Sequence, residues 1–266
     1  YPFGAVVFNE FLARPDTTQA EFVEIVSFSD IDFTGWAISD ETETKHYFSE
    51  LFTAAAQPVV IASDSTFIDN LPQGTSIIVP SNDLPTLNNA SDALFLYDMT
   101  GTIIDSLYYN SEWPLADGRS IEKFRPEFES NNPNRWGVAV NAEAMTPGLE
   151  NSLYFDELPQ TGAIVFEANP FSPNGDGIDD ELLIKYKLPF EQGIIKLQIF
   201  DMTGRNIATP YWNVYFPQEG LLKWDGKREN GDEARIGIYI VKVTAKNPSS
   251  GKVWEKVKTV VLAKRL

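Results

Sequence analysis

The stretch EANPFSPNGDGIDDELLIKYKL, residues 167–188, holds a run of oxygen-bearing side chains whose spacing suits a hard cation. Asn174, Asp176 and Asp180 stand two and four residues apart, with Gly177 directly after Asp176. That order matches the third, fifth, sixth and ninth positions of a calcium loop, where carboxylate and amide oxygens surround the ion and glycine permits a sharp turn. The first and twelfth positions fall on Ser172 and Leu183, so the full cage with its bidentate glutamate is excluded. Two readings remain. One is a shallower calcium site in which Asn174, Asp176, Asp179 and Asp180 join backbone carbonyls. The other is a rigid turn: Pro173 fixes φ, Gly175 and Gly177 take unusual dihedrals, and the acids accept backbone N–H groups.

Elsewhere the residues offer little bond chemistry. His46, in ETKHYFS, is the single histidine, and no nucleophile motif accompanies it, so it reads as an ordinary exposed or interstrand residue. There are no cysteines, which rules out disulfides, zinc–thiolate sites and thiol nucleophiles. Carboxylate pairs for glycoside hydrolysis can be drawn at will among 38 acids, and that abundance makes any one pair uninformative. No phosphate loop, dinucleotide fingerprint or His-Glu-x-x-His occurs. The chain is therefore expected not to be an enzyme. Glu10 and Glu24 alternate with apolar neighbours, which predicts solvent-facing strand positions; convergence with Asp40 on a cation is the other reading. Trp36, after a glycine turn, is expected to plug a core. Trp113, Trp136 and Trp212 are candidates for an exposed glycan-stacking platform.

The elements that must position these residues are strands. GAVVFNEFLA, EFVEIVSFS, QPVVIAS, DALFLYD, DELLIKYKL, IIKLQIFD and RIGIYIVKVTA are short runs rich in β-branched and aromatic residues, separated by turn-formers. Only Thr66–Leu71 and Ser49–Ala55 read as short helical turns. The pattern predicts an all-β protein of β-sandwiches or barrels, arranged as two domains in tandem. Asp-Met-Thr-Gly occurs twice, at Asp98–Gly101 and Asp201–Gly204, each time between apolar runs. Three-residue hairpin loops pair a type I turn with a left-handed residue, where glycine costs least, and a leading aspartate accepts a backbone N–H two residues on. The repeat therefore predicts the same hairpin turn used twice, not a duplication or an active-site loop.

Charge divides the chain near residue 160. Residues 1–160 hold 25 acids against 6 bases, whereas residues 161–266 hold 13 acids against 15 bases. The expected domains are 1–152 and 163–266, with a linker at 153–162. The acidic first part repels phosphate backbones, so no nucleic-acid partner is expected. Apolar runs are strand-length and no transmembrane segment is expected. No leader pattern opens the chain, so any export signal was removed or lies outside this piece.

The first part resembles the lamin-tail (LTD) domain of the bacterial secreted type, an immunoglobulin-like sandwich. The resemblance rests on Asn9–Glu10, on Glu21–Glu24, on FTGWAISD with Gly35, Trp36 and Asp40, on Asp117–Arg119, and on Trp136–Gly137 with Thr146–Gly148. It implies a binding module with an unknown protein or glycan partner for residues 1–152. The second part resembles the flagellar hook-capping-like, gliding-motility-associated type IX secretion C-terminal sorting domain. There the resemblance is carried by NPFSPNGDG, LQIFDMTGRNI, Trp224–Gly226 and Gly237–Tyr239. It implies an immunoglobulin-like fold read by the type IX secretion machinery, including an outer-membrane β-barrel shuttle and attachment complex, through residues 163–266. The implied location is secreted or at the cell surface, on the outer face of the bacterial outer membrane. Lys252, Lys256, Lys258, Lys264 and Arg265 make the final hairpin basic, which also protects an edge strand. The function expected is thus a non-catalytic surface module exported by type IX secretion. The alternatives are the accessory tail of a larger secreted hydrolase or a carbohydrate-binding module.

Overall fold

The computed structural model describes residues 1–154 and 160–264. The chain folds as two units, Tyr1–Tyr154 and Phe155–Leu266.

In chain order the first unit contains β1 (Val6–Leu12), β2 (Phe22–Ser27), β3 (Ile31–Asp32), β4 (Ala37–Ser39), β5 (His46–Tyr47), β6 (Phe52–Thr53) and β7 (Pro58–Ala62). A one-turn helix, α1 (Ser65–Asp69), follows, and then β8 (Ser76–Ile78), β9 (Asp92–Tyr97), β10 (Ile103–Tyr109), β11 (Ile121–Lys123) and β12 (Trp136–Val138). One sheet runs β12-β11-β1-β2-β7-β8 and a second β10-β9-β4-β5, with β3 and β6 paired apart. The two larger sheets face each other across a core that includes Phe8, Phe11, Ile25, Trp36, Leu96 and Trp136. Trp36 is fully buried, as its place after the glycine turn predicts.

Both faces of β1 and β2 are covered, so every residue of these strands is buried. Leu12, Phe22, Val60 and Ala62 form a second small core on the outer side, against Phe67, Ile68, Leu71 and Met145. The helix overlaps the expected Thr66–Leu71 span but starts one residue earlier, and Asp64 caps it by accepting the Phe67 N–H at 2.7 Å. Ser49–Ala55 is not helical. Phe52 and Thr53 pair with Asp32 and Ile31 instead, and burial of Phe48 and Thr53 fixes that extended path.

Among the described residues, the second unit has five strands: β13 (Ala163–Phe166), β14 (Leu182–Asp201), β15 (Asn206–Trp224), β16 (Gly237–Lys246) and β17 (Val253–Leu262). The long β14 serves two neighbourhoods. Its first half pairs with β13, from Phe166↔Ile184 to Ala163↔Lys187. Its second half pairs with β16, from Ile194↔Lys246 to Asp201↔Tyr239. β15 follows both halves, and the register shifts between Lys187 and Gln192. A bulge of this kind bends a strand, which lets one strand contribute to two layers. Alternating burial along β14 and β16 directs Ile184, Tyr186, Leu197, Val241 and Val243 into a single core. β17 is the edge strand, and Lys252, Lys256, Lys258 and Lys264 are exposed on and beside it. Arg265 lies outside the described residues.

Of the expected linker, Leu153 is buried in the first unit and Gly162 donates to the Lys187 carbonyl in the second; residues 155–159 lie outside the described residues.

Candidate functional site

The densest group of ionisable residues in the first unit is buried. Register places Glu24 and Glu122 opposite Glu10 on its two sides, so three glutamates form a row across β2, β1 and β11. All three are fully buried. The segment 146–153 lies over them and supplies the hydrogen bonds that buried carboxylates require. Thr146 donates its N–H to Glu10 Oε1 at 2.8 Å, and its Oγ1 lies 3.0 Å from Glu10 Oε2 and 2.9 Å from Glu122 Oε1. Gly148 donates to Glu24 Oε2 at 2.7 Å. Ser152 Oγ and the Leu153 N–H both donate to Glu122 Oε2, at 2.8 and 3.0 Å. Asn9, bulged out of register, donates to Glu24 Oε1 at 2.8 Å and to Asn151 Oδ1 at 3.0 Å. Asn151 returns two bonds to the carbonyls of Asn9 and Lys123.

Proton counting gives this row its chemistry. The Thr146 hydroxyl has one hydrogen but lies within bonding distance of two carboxyl oxygens. Both contacts are satisfied when either Glu10 or Glu122 carries a proton and donates it to the hydroxyl. Burial pushes the Glu10 carboxyl well above its usual range, and the charges of Glu24 and Glu122 push it further. Burial likewise raises Glu24, to about 8, against the opposing hydrogen bonds of Asn9 and Gly148. The row is a proton-holding clasp for the segment 146–153.

This corrects the solvent-facing expectation for Glu10 and Glu24. Alternation along one strand shows that two faces differ, but not that a segment more than a hundred residues later covers the second. Asp40 does not join them. It caps its own turn, accepting from Thr42 N and Oγ1 at 2.8 and 2.6 Å. Glu122 and Thr146 complete the row and were not recognised as its members from the sequence; the Thr-Pro-Gly at 146–148 was visible only as part of a family pattern.

On the same three-stranded region, Lys123 is fully buried and donates to Phe128 O at 3.2 Å and Ser130 Oγ at 2.8 Å. Ser130 in turn reaches Asp105 Oδ2, which also accepts the Phe8 N–H. Burial lowers the Lys123 ammonium to about 7, opposed by Asp105.

In the second unit, Asn174, Asp176 and Asp180 meet in one turn. Asp180 Oδ1 accepts the N–H groups of Asn174 and Gly175 at 2.8 and 2.6 Å, and its Oδ2 accepts Gly177 at 2.7 Å. Asp176 Oδ1 accepts Ile178 N, while Asn174 Nδ2 donates to Asp176 Oδ2 at 3.0 Å. Asp179 has φ 54° and contributes its carbonyl to Ser172 N. Among the described residues, no group of three or more His, Cys, Asp or Glu is arranged to hold a metal ion. The turn is braced from below by Gly226 at φ +74°, where a Cβ would lie 2.6 Å from Pro173 Cγ. Trp224, just before it, packs on Phe171 and Tyr239 and donates its indole N–H to Lys227 O.

The two Asp-Met-Thr-Gly stretches fold alike. In each, the glycine has φ 83° and donates to the aspartate carbonyl at 2.9 Å, while Oδ1 accepts the threonine N–H and hydroxyl and a further N–H four residues on. His46 faces the carbonyls of Asn82 and Asp83. Trp113 and Trp136 are core residues, 6% and 3% exposed, tilted against each other and edge-on to Phe11, which removes them from any glycan platform. Trp212 is 61% exposed, with the Lys196 ammonium 4.0 Å from its ring centre.

Two family models match separate stretches of the chain. Residues 1–111 match the Lamin Tail Domain family model, and residues 165–257 match the CHU_C Type IX secretion signal domain. No curated protein matches. Among solved structures, dimeric latent PorU from Porphyromonas gingivalis is similar at 11% identity and TM-score 0.31, over 97% of this chain and 20% of that one. PorZ, described as an essential bacterial surface component of the type IX secretion system of Porphyromonas gingivalis, is similar at 12% identity and TM-score 0.29, over 97% of this chain and 39% of that one. The chain thus spans well under half the length of either. It carries a lamin tail domain followed by a CHU_C type IX secretion signal domain, and such a signal points to a secreted or cell-surface protein.

Proposed function

We propose that this chain is a non-catalytic surface module, displayed on the outer face of the outer membrane after type IX export. In this reading the secretion machinery, including a β-barrel shuttle and attachment complex, reads the immunoglobulin-like unit at 163–266. The lamin-tail unit serves as a binding or structural module for an extracellular protein or glycan. The match of residues 165–257 to the secretion signal family carries the first half of the proposal. The use of the first unit's best acid–base groups supports the second: Glu10, Glu24 and Glu122 are enclosed and spent on holding the segment 146–153. Catalysis needs such groups within reach of a substrate.

Deleting residues 164–266 in a type IX-competent bacterium tests the export reading. The truncated protein is expected to accumulate in the periplasm, measured by fractionation and protease accessibility of whole cells. Undiminished surface exposure would overturn it.

A further inference from the structure

At one end of the second unit, the Asp201–Arg205 turn, the loop after Trp224 and the start of β16 border a half-open cavity of about 570 Å³. Its lining includes Asp201, Arg205, Arg228, Arg235 and Tyr239. The three guanidinium groups are not equivalent. Arg205 is committed, its Nε and Nη2 both 2.8 Å from Asp201 Oδ2. Among the described residues, Arg228 and Arg235 have no ion-pair partner, and the Arg228 Nε–H is buried without an acceptor. Both act on one neighbour. Tyr239, which donates to the Arg235 carbonyl at 2.6 Å, has its titration raised by burial and by the Asp201 charge and drawn back by Arg228 and Arg235. Two cations without an ion-pair partner therefore line the same pocket.

We propose that this cavity binds a phosphate monoester. With Arg205 and Asp201 neutralising each other, Arg228 and Arg235 leave two positive charges facing the cavity. A phosphate monoester carries about −1.5 to −2 at neutral pH and offers three acceptor oxygens, whereas a carboxylate carries one charge and two oxygens. Guanidinium forks match phosphate oxygens in bidentate fashion. Met202, Ile236 and Ile238, all exposed at the rim, suit a ligand whose phosphate is attached to an apolar or sugar-like body. This inference does not depend on the export reading.

Arginine Nε–Hε resonances of the full 266-residue chain provide the test, titrated with glycerol 3-phosphate and, at matched ionic strength, with sodium chloride. Phosphate-specific shifts of Arg228 and Arg235, saturating in the millimolar range or below, are expected. Arg228→Gln or the exposed Arg235→Gln should weaken binding about tenfold, as expected for one lost charge-assisted hydrogen bond. Sedimentation with phosphatidic acid vesicles then separates sources. Vesicle binding that glycerol 3-phosphate competes away identifies a lipid headgroup, and phosphate binding without vesicle binding identifies a soluble ester. Equal shifts with chloride, or unchanged affinity in a folded Arg235→Gln protein and in Arg228→Gln, would overturn the proposal.

Discussion

The glutamate row of the first unit and the aspartate loop of the second use the same functional group in opposite ways. Glu10, Glu24 and Glu122 are buried side by side, where three full charges would repel at short range in a poor dielectric, so the row keeps protons. Asp180 lies near solvent and meets three backbone N–H groups of its own loop. One arrangement fastens a distant segment to a sheet; the other shapes a few adjacent residues. What separates them is which donors arrive and how much water is excluded, and neither is written in the carboxylate itself.

The strongest way to break the comparison is Glu10→Ala. It strands the buried Thr146 N–H and is expected to destabilise the first unit by about 2–4 kcal/mol, with Glu10→Gln milder because its amide oxygen still accepts that N–H. Calorimetry of the full chain checks this, and equal losses for the two variants would contradict it.

Next in size is a pH effect confined to the first unit. Glu10 and Glu24 titrate higher folded than unfolded, so their contribution is complete near the ordinary glutamate value and is lost as pH rises towards the folded values. Asp105 and Glu21, also raised by burial, act in the same direction. Lys123, lowered to about 7, opposes the trend only above that pH, where the unfolded chain binds the extra proton. Between pH 5 and 7 the first unit is expected to lose on the order of 2 kcal/mol of stability. Hydrogen exchange at Thr146 and Gly148, corrected for intrinsic rates, should show protection falling over that interval. Rising protection would contradict the clasp.

The smallest effects belong to the loop. Asp180→Ala should cost the second unit about 1–2 kcal/mol, because its three N–H donors can turn to water. Since those donors already occupy Asp180, we expect millimolar calcium and chelator to give melting temperatures within about 1 °C for this unit. A rise of several degrees with calcium would assign the loop to the ion by mass action.

The legible parts of this molecule were the local ones. The paired Asp-Met-Thr-Gly turns, the short helical turn near Thr66–Leu71 and the burial of Trp36 each follow from a few adjacent residues and steric rules. Glu10 and Glu24 were misplaced because period-two alternation locates a face, while coverage of that face depends on contacts with Thr146 and Gly148, over a hundred residues away. Trp113 and Trp136 failed for a related reason: an aromatic in a turn-rich stretch looks the same whether it packs on Phe11 or on a ligand. The arginine cavity could not be read either, since Arg205, Arg228 and Arg235 are joined only by the return of β16 to β14.

The clasp also bears on where the first unit can be cut. Its family match ends at residue 111, before Glu122 and before Thr146. A fragment trimmed to that limit would leave Glu10 and Glu24 on an uncovered sheet, charged and without their lid. For anyone expressing this unit alone, the natural stopping place is beyond Leu153, where the last clasping amide has been synthesised.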